Sequence, residues 1–483
     1  MKKTLFFILA LGLFSSFPVA AQQKGKVVRH DREEETDTAI LNRVAEWQDL
    51  KFGFMVHWGM YAQWGVVESW SICNEPWITR EAKPGVRTTR SGRVIYDSYK
   101  WNYRRLNRSF NPKNFNARQW AALAKEAGMR YVVFTTKHHD GFCMFDTKET
   151  NYSVTGRECP YSSQAQPDIT RDVVEAFRDA GMWTGLYFSK PDWHSPDYWA
   201  PEWCTPDRNV NYDIQKYPER WDRFRHFTYN QVRELTHNYG DIDILWLDGG
   251  WVRPEWSIND ESREWLGCYR RVQDIGMDSL VAIAREENPD LIVVDRSVGG
   301  RYENYRTPEK QVPKEPLPYA WETCMTMGDS WSYAPKDNYK STTQLIHLLA
   351  EVVSKGGNLL LNVGPDADGN IPPEAVARMK EIGAWLRVNG EAIFDTKPLA
   401  PYGGGRVCYT QSKDGKHKYA IVLLSRPAGQ AEVYLPPWVK DVQILGKKEG
   451  VSKQLLKYQD SMRVTIVSTE VMQHAIVLEL LEK

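Results

Sequence analysis

At 483 residues the chain is long for one hydrophobic core, so a large barrel with an appended domain is expected. Its 62 Lys and Arg are matched by 62 Asp and Glu with no long basic tract, which argues against nucleic acid or an acidic membrane surface as partner and for a neutral substrate. Aromatic residues make up 12% of the chain and include 20 Trp, many beside Gly, Asp or His in predicted loops; such rings suit the C–H faces of sugars, while a Trp-heavy core accounts for half or more of them.

The N-terminus reads Met1-Lys2-Lys3, then an apolar run from Leu5 to Phe14, then Val19-Ala20-Ala21 before a polar stretch. That pattern predicts a secretory signal over residues 1–21, cleaved after Ala21, and export to the periplasm or the exterior. No later segment is long and apolar enough to cross a bilayer, and no Cys follows the apolar run to take a lipid, so no membrane insertion is expected. The seven Cys residues (Cys73, Cys143, Cys159, Cys204, Cys268, Cys324 and Cys408) show no metal-ligand spacing. An odd number leaves at least one free thiol, and the fold is not expected to depend on disulfides.

From Lys51 onward, short β-rich runs alternate with helical patterns, the signature of strand-helix units around a parallel sheet. Predicted strands are Phe52 to His57, Val66 to Trp70, Tyr131 to Lys137, Trp183 to Ser189, Ile242 to Asp248, Leu291 to Arg296, Tyr319 to Met325 and Asn358 to Val363. Eight strands match a (β/α)₈ barrel. Predicted helices include Ala117 to Ala127, Thr170 to Ala180, Glu261 to Glu287, Thr342 to Ser354 and Pro373 to Val388, the last stopped by Asn389-Gly390. Ala127-Gly128-Met129 and Ala180-Gly181-Met182 each close a helix and open a strand, with Gly suited to the left-handed cap. After about Asp395 the pattern turns to alternating strands with hairpin signals such as Lys413-Asp414-Gly415-Lys416. A barrel domain over residues 30–395 and a small antiparallel β domain over residues 396–483 follow.

The strand ends carry the chemistry. The run Asp243-Ile244-Leu245-Trp246-Leu247-Asp248-Gly249-Gly250-Trp251 reads as a buried strand delivering one acid, with Ile244, Trp246 and Asp248 on one face. An Asp there also suits a loop or helix cap, and the rest of the chain decides between the two. His57, the pair His138 and His139, Tyr187 and Arg296 end other strands, so five strand ends point polar groups at one mouth. A lone His is more often a hydrogen-bonded structural residue than a functional one; three at barrel strand ends reverse that expectation.

The motifs His57-Trp58-Gly59, Lys137-His138-His139-Asp140-Gly141-Phe142, Gly185-Leu186-Tyr187-Phe188-Ser189, Trp246-Leu247-Asp248-Gly249 and Gly357-Asn358-Leu359-Leu360-Leu361-Asn362-Val363-Gly364-Pro365 recur in order across roughly residues 45 to 390. Together they resemble the α-L-fucosidases of glycoside hydrolase family 29. The resemblance implies a retaining exo-glycosidase acting on fucosylated oligosaccharides or glycoconjugates, built on a (β/α)₈-like barrel with a C-terminal β-sandwich. It implies that Asp248 is the nucleophile and that His57, Trp70, His138, His139, Tyr187 and Arg296 line the fucose pocket. No cofactor and no metal are implied.

Retention needs a second carboxyl about 5 to 5.5 Å from the nucleophile to protonate the leaving oxygen and then to activate water. The segment Gly299-Gly300-Arg301-Tyr302-Glu303-Asn304-Tyr305-Arg306-Thr307-Pro308-Glu309 offers two. In similar family members the acid/base follows the strand-six Arg by about a dozen residues and precedes a Trp-Glu-x-Cys segment, here Trp321-Glu322-Thr323-Cys324, which favours Glu309 over Glu303 and leaves Glu322 third and structural. Two other readings stay open. His57, His138, His139 and Asp248 suggest a metal-dependent barrel hydrolase, against which stands the rule that adjacent strand residues face opposite ways. A non-catalytic glycan-binding relative would keep the aromatic pocket but lose the acid.

Overall fold

The computed structural model describes residues 34–205, 207–266, 272–446 and 449–482. The signal segment 1–21 and Cys268 lie outside the described residues; the other six cysteines are free thiols. No helix among the described residues is long and apolar enough to cross a membrane.

Asp37 accepts a hydrogen bond from Ala39 N (2.8 Å) and starts helix α1 (Thr38–Leu50), whose Ile40, Val44 and Trp47 plug the N-terminal end of a curled parallel sheet. Trp47 stacks on Tyr305 at 3.8 Å. The sheet strands are β1 (Phe52–Val56), β2 (Tyr131–Lys137), β3 (Trp183–Ser189), β4 (Ile244–Asp248), β5 (Ile292–Asp295), β6 (Glu322–Thr326) and β7 (Asn358–Val363), in the order β5-β4-β3-β2-β1-β7-β6. Every pairing is parallel. Alternate residues separate into two layers. Met55, Tyr131, Val133, Tyr187, Ile244, Trp246 and Leu360 fill the interior, whereas Phe54, Val132, Phe134, Leu186, Leu245 and Leu361 pack outward under the helices.

The sheet has seven strands rather than the expected eight. Val66 to Trp70 is a turn running into a 3₁₀ helix (Ser69–Ile72), despite its β-branched start. The place between β5 and β6 is taken by an irregular segment. Asp295 N donates to Tyr302 O (2.8 Å) and Asn304 N to Val293 O (3.0 Å) on one side; Arg306 N donates to Ala320 O (3.0 Å) and Glu322 N to Arg306 O (2.8 Å) on the other. Residues 302–306 thus close the wall with backbone hydrogen bonds on both flanks.

Around the sheet lie α2 (Tyr96–Arg104), α3 (Ala117–Glu126), α4 (Ile169–Asp179), α5 (Pro218–His237), α6 (Asp260–Leu266), α7 (Met277–Ala284), α8 (Thr342–Ser354) and α9 (Pro373–Asn389). The helix expected over Glu261 to Glu287 is two short ones; Gly276, at φ +73°, breaks the run just before α7. Gly128 and Gly181 take the expected left-handed caps, at φ +84° and +76°.

The C-terminal strands are β8 (Thr396–Pro398), β9 (Val407–Ser412), β10 (Lys418–Leu423), β11 (Ala428–Leu435), β12 (Asp441–Ile444), β13 (Val451–Tyr458), β14 (Ser461–Met472) and β15 (Ala475–Leu481). They form two antiparallel sheets, β12-β15-β10-β9-β8 and β11-β14-β13, over a shared core that includes Val422, Val433, Ile466 and Leu478. This layer leans on the barrel, with Trp385 Nε1 of α9 donating to Ala475 O at 3.0 Å.

Helices α3 and α9 approach so closely that a Cβ on Gly383 would lie 1.9 Å from Glu126 O. Gly383→Ala gains up to about 1 kcal/mol of helix propensity but forces two backbones apart, an overpacking cost of about 1–3 kcal/mol. The expected outcome is a lower thermal midpoint than wild type; an equal or higher one contradicts the close contact.

Candidate active site

Strand β4 ends by aiming Asp248 into a cavity of about 1680 Å³ at the C-terminal mouth of the barrel. Tyr187, from β3, donates its hydroxyl to Asp248 Oδ2 at 2.7 Å. Arg296, just past β5, reaches Oδ1 at 3.1 Å through Nη1, and His139 Nε2 lies 3.6 Å from Oδ2. Burial alone would raise the Asp248 pKa, but Arg296, His139, the Tyr187 hydroxyl and Gly249 N–H outweigh it and hold the carboxyl well below the usual range. The group is a permanently ionised carboxylate, with a hydroxyl and a guanidinium fixing its orientation. Trp246 lies beneath it, stacked on Tyr187 at 5.3 Å.

Arg296 also donates from Nη2 to Glu309 Oε2, so two carboxylates sit on neighbouring nitrogens of one guanidinium. Glu309 stands at a backbone corner, followed by Lys310 at φ +52°. Glu303 lines the same cavity but is otherwise committed. Its side chain is 4% exposed, one oxygen accepts from Ser297 N at 2.9 Å, and the other pairs with Arg306. It stabilises the turn after Arg296, where Ser297 takes φ +63°. Glu322 lies below the site rather than in it, fully buried, accepting from Tyr131 OH (2.6 Å) and Trp246 Nε1 (3.2 Å).

The three imidazoles are set by what holds their inner nitrogens. Asn362 Nδ2 donates to Trp331 O (2.6 Å), so its Oδ1 faces His57 and accepts both His57 N (3.1 Å) and Nδ1–H (2.9 Å). The Ser189 hydroxyl donates to Pro191 O (2.6 Å) and therefore accepts from His139 Nδ1–H (2.7 Å). Ser69 Oγ accepts from Asp140 N (3.0 Å) and is hydrogen-bonded to His138 Nδ1. In the neutral rings the Nε2 atoms of His57 and His139 thus carry no proton. Burial lowers the pKa of His57 and His139 to about 4 and of His138 further still, so all three are neutral near pH 7.

Trp70, from the 3₁₀ helix, turns its edge to His139 at 5.3 Å and packs against Trp193 and Trp251. The cavity therefore unites Asp248, Glu309, Glu303, His57, Trp70, His138, Tyr187 and Arg296 along its lining, with His139 against Asp248. Sequence reading missed Glu68, Arg208, Trp251 and Trp331 in the same wall. Trp251 had a signal, following the strand-end acid by three positions. Glu68 had none, since its marks are tertiary. It is buried at φ +31°, accepts from Ser332 N (2.8 Å), and burial raises its pKa to about 7.

Adjacent residues of an intact strand face opposite ways, so His138 and His139 can share one side only where the strand has broken, and it has. β2 ends at Lys137, and the two rings lie 4.3 Å apart on the same side, within reach of Asp248. A divalent cation at that triplet would have to share the Asp248 carboxylate with the Arg296 guanidinium, a repulsion unlike the ligand shells of known metal sites.

A sequence profile described as alpha-L-fucosidase matches residues 19–391. The plasma alpha-L-fucosidase of Rattus norvegicus is 30% identical over 399 residues, covering 78% of this chain and 77% of its own. Among solved structures, alpha-L-fucosidase isoenzyme 1 from Paenibacillus thiaminolyticus is 30% identical with a TM-score of 0.72, covering 92% of this chain and all of that one. An alpha-L-fucosidase of family GH29 from Bacteroides thetaiotaomicron is 25% identical with a TM-score of 0.69, covering 94% and 97%.

Burial raises the Glu322 pKa to about 7 from an ordinary 4.5, against the hydrogen bonds of Tyr131 and Trp246. A folded value above the unfolded one means the neutral acid stabilises the fold below about pH 4.5, a contribution lost as pH rises through about 7. Glu322→Gln lacks that loss, so its stability relative to wild type should rise from pH 5 to pH 8, by about 2–3 kcal/mol at most. Melting both proteins at the two pH values reads it; a difference that is constant or shrinks refutes the raised value.

Proposed function

The chain belongs to the α-L-fucosidase family of glycoside hydrolases, and on that premise we propose that it releases terminal α-L-fucose from fucosylated glycans with retention of configuration. The observation that carries the reading is the Arg296 guanidinium holding Asp248 and Glu309 on adjacent nitrogens. That arrangement suits the roughly 5 Å separation of a nucleophile and an acid/base serving one glycosidic bond.

Asp248 Oδ attacks the anomeric carbon as the Glu309 carboxyl gives its proton to the departing oxygen. A fucosyl ester on Asp248 results, and Glu309, now a carboxylate, takes a proton from the water that releases fucose. Arg296 and Tyr187 keep the nucleophile ionised and oriented. Fucose presents three free ring hydroxyls, for which the imidazoles of His57, His138 and His139 offer hydrogen-bonding partners. Trp70 offers an apolar edge to the 6-deoxy methyl. The closed floor, where Trp246 is bonded to Glu322 beneath Asp248, suits an exo mode. The leader-like residues 1–21 support action outside the cytoplasm, on glycans of the surroundings.

Asp248→Gly should fold and lose about 10³-fold or more of its fucose release. Added azide should restore turnover by entering from the vacated side, giving fucosyl azide of inverted configuration by NMR. Substantial unaided turnover removes Asp248 from the nucleophile role.

Glu309→Ala should lose far more activity on oligosaccharides than on a nitrophenyl fucoside, whose leaving group needs no proton. Azide, needing no base, should then speed the activated substrate and give a product of retained configuration. Glu303→Ala should instead lower stability and impair both substrates alike, because it strips Ser297 N and Arg306 of their partner. Azide rescue with retention in Glu303→Ala alone exchanges the two roles.

A further inference from the structure

We propose that Trp77 is the platform of a leaving-group subsite that takes the second sugar ring of a fucosylated saccharide, an inference that rests on the fucosidase reading above.

Trp77 is 54% exposed, yet it lines the same cavity as Asp248 and Glu309. Its ring lies 5.4 Å from Trp70, tilted by 51°, and Trp70 lies 5.3 Å from His139, which touches the nucleophile. Two ring-to-ring steps therefore lead from the buried nucleophile to the rim. The inner step belongs to the sugar being attacked. What reaches the outer step is whatever that sugar is attached to, because a fucose seated on Asp248 has only its anomeric oxygen directed outward past Glu309.

The rim residue is held in place rather than left loose. Glu75 accepts Arg208 Nε at 2.7 Å, Ile78 N donates to Glu75 O at 3.1 Å, and Trp77 sits inside that turn. Arg80 Nε anchors the return of the loop on Ser71 O at 2.7 Å. Arg208 in turn lies 4.9 Å over Trp70 and 5.3 Å over Trp251, so the loop, the guanidinium and the inner indoles form one stack. An indole costs apolar exposure when left at a surface, and a pyranose C–H face covers it with little ordering loss. The cavity of about 1680 Å³ is larger than ordinary small-ligand pockets of roughly 300–1,000 Å³, so it holds more than one monosaccharide. Residues 310–317, which follow Glu309 directly, line the same cavity as Trp77.

The test compares α-L-fucosyl fluoride, whose leaving group has no ring, with whichever of the α1,2-, α1,3-, α1,4- and α1,6-linked fucosyl disaccharides the wild type cleaves fastest. Fluoride hydrolysis by the wild type reports on the catalytic reading, and the ratio of kcat/KM for disaccharide over fluoride reports on the subsite. Trp77→Ala should lower that ratio about tenfold, with Trp77→Phe recovering most of it. A parallel loss on both substrates means that the indole only packs the rim, and an unchanged ratio means that no ring rests on it; either overturns the proposal. A wild type that hydrolyses the fluoride but none of the disaccharides overturns the saccharide subsite while leaving the catalytic reading standing.

Discussion

The candidate site is organised by one cation shared between two acids, Asp248 and Glu309. Whenever both are ionised they repel, and at an effective dielectric of about 20 a pair of charges roughly 5 Å apart costs about 3 kcal/mol. Arg296 removes that cost by giving each acid a separate nitrogen. It is itself constrained, since its guanidinium lies 5.2 Å over the Trp246 ring, and the backbone behind it turns at Ser297 under the grip of Glu303. Glu303 thus orders the cation that Asp248 and Glu309 share.

The barrel was legible wherever local pattern and tertiary fate agree. Strands β1, β2, β3 and β4 are short, buried runs, and at or just past their ends they carry His57, His138, Tyr187 and Asp248 to the mouth. Reading failed where structure is made by distant partners. Val66 and Val67 look like a strand start, but the chain there must turn to bring Trp70 over the mouth, with Val66 O taken by Ser332 Oγ at 2.7 Å. Residues 302–306, full of charge and turn formers, have no strand pattern and still close the wall, because their partners Val293 and Ala320 lie on separate strands' flanks. Helix α5 escaped notice because its apolar residues (Trp221, Phe224, Thr228, Val232, Leu235) are diluted by Arg and Glu, so that amphipathic packing, and not composition, makes it a helix.

The site shows the same division. Residues that act through their own position at a strand end were found from motifs. Those that act by holding another residue were not. Asn362 sits in the quoted Leu361-Asn362-Val363 motif, but its work on His57 becomes visible only when β7 lies beside β1. Ser189 closes the quoted Tyr187-Phe188-Ser189 motif without showing its partner, and Ser69 is a single hydroxyl whose tie to His138 only the fold reveals. The choice between Glu309 and Glu303, left open by spacing, is narrowed by their partners, since one oxygen of Glu303 holds a backbone amide and the other a guanidinium, while Glu309 faces the cavity on Arg296.

Those three partners make the histidines a fixed pattern instead of three interchangeable polar groups. For two of them the inner nitrogen meets an atom whose own hydrogen-bond role is already decided, by Trp331 O for Asn362 and by Pro191 O for Ser189. The proton positions of His57 and His139 are then set two bonds deep in the protein. Burial keeps the rings neutral, which is what preserves the pattern. Protonating His57 or His139 would turn its Nε2 into a donor and would add a positive charge beside Arg296. The low histidine pKa values and the low Asp248 pKa are therefore one design, in which a single guanidinium carries the cationic charge and the imidazoles carry only direction.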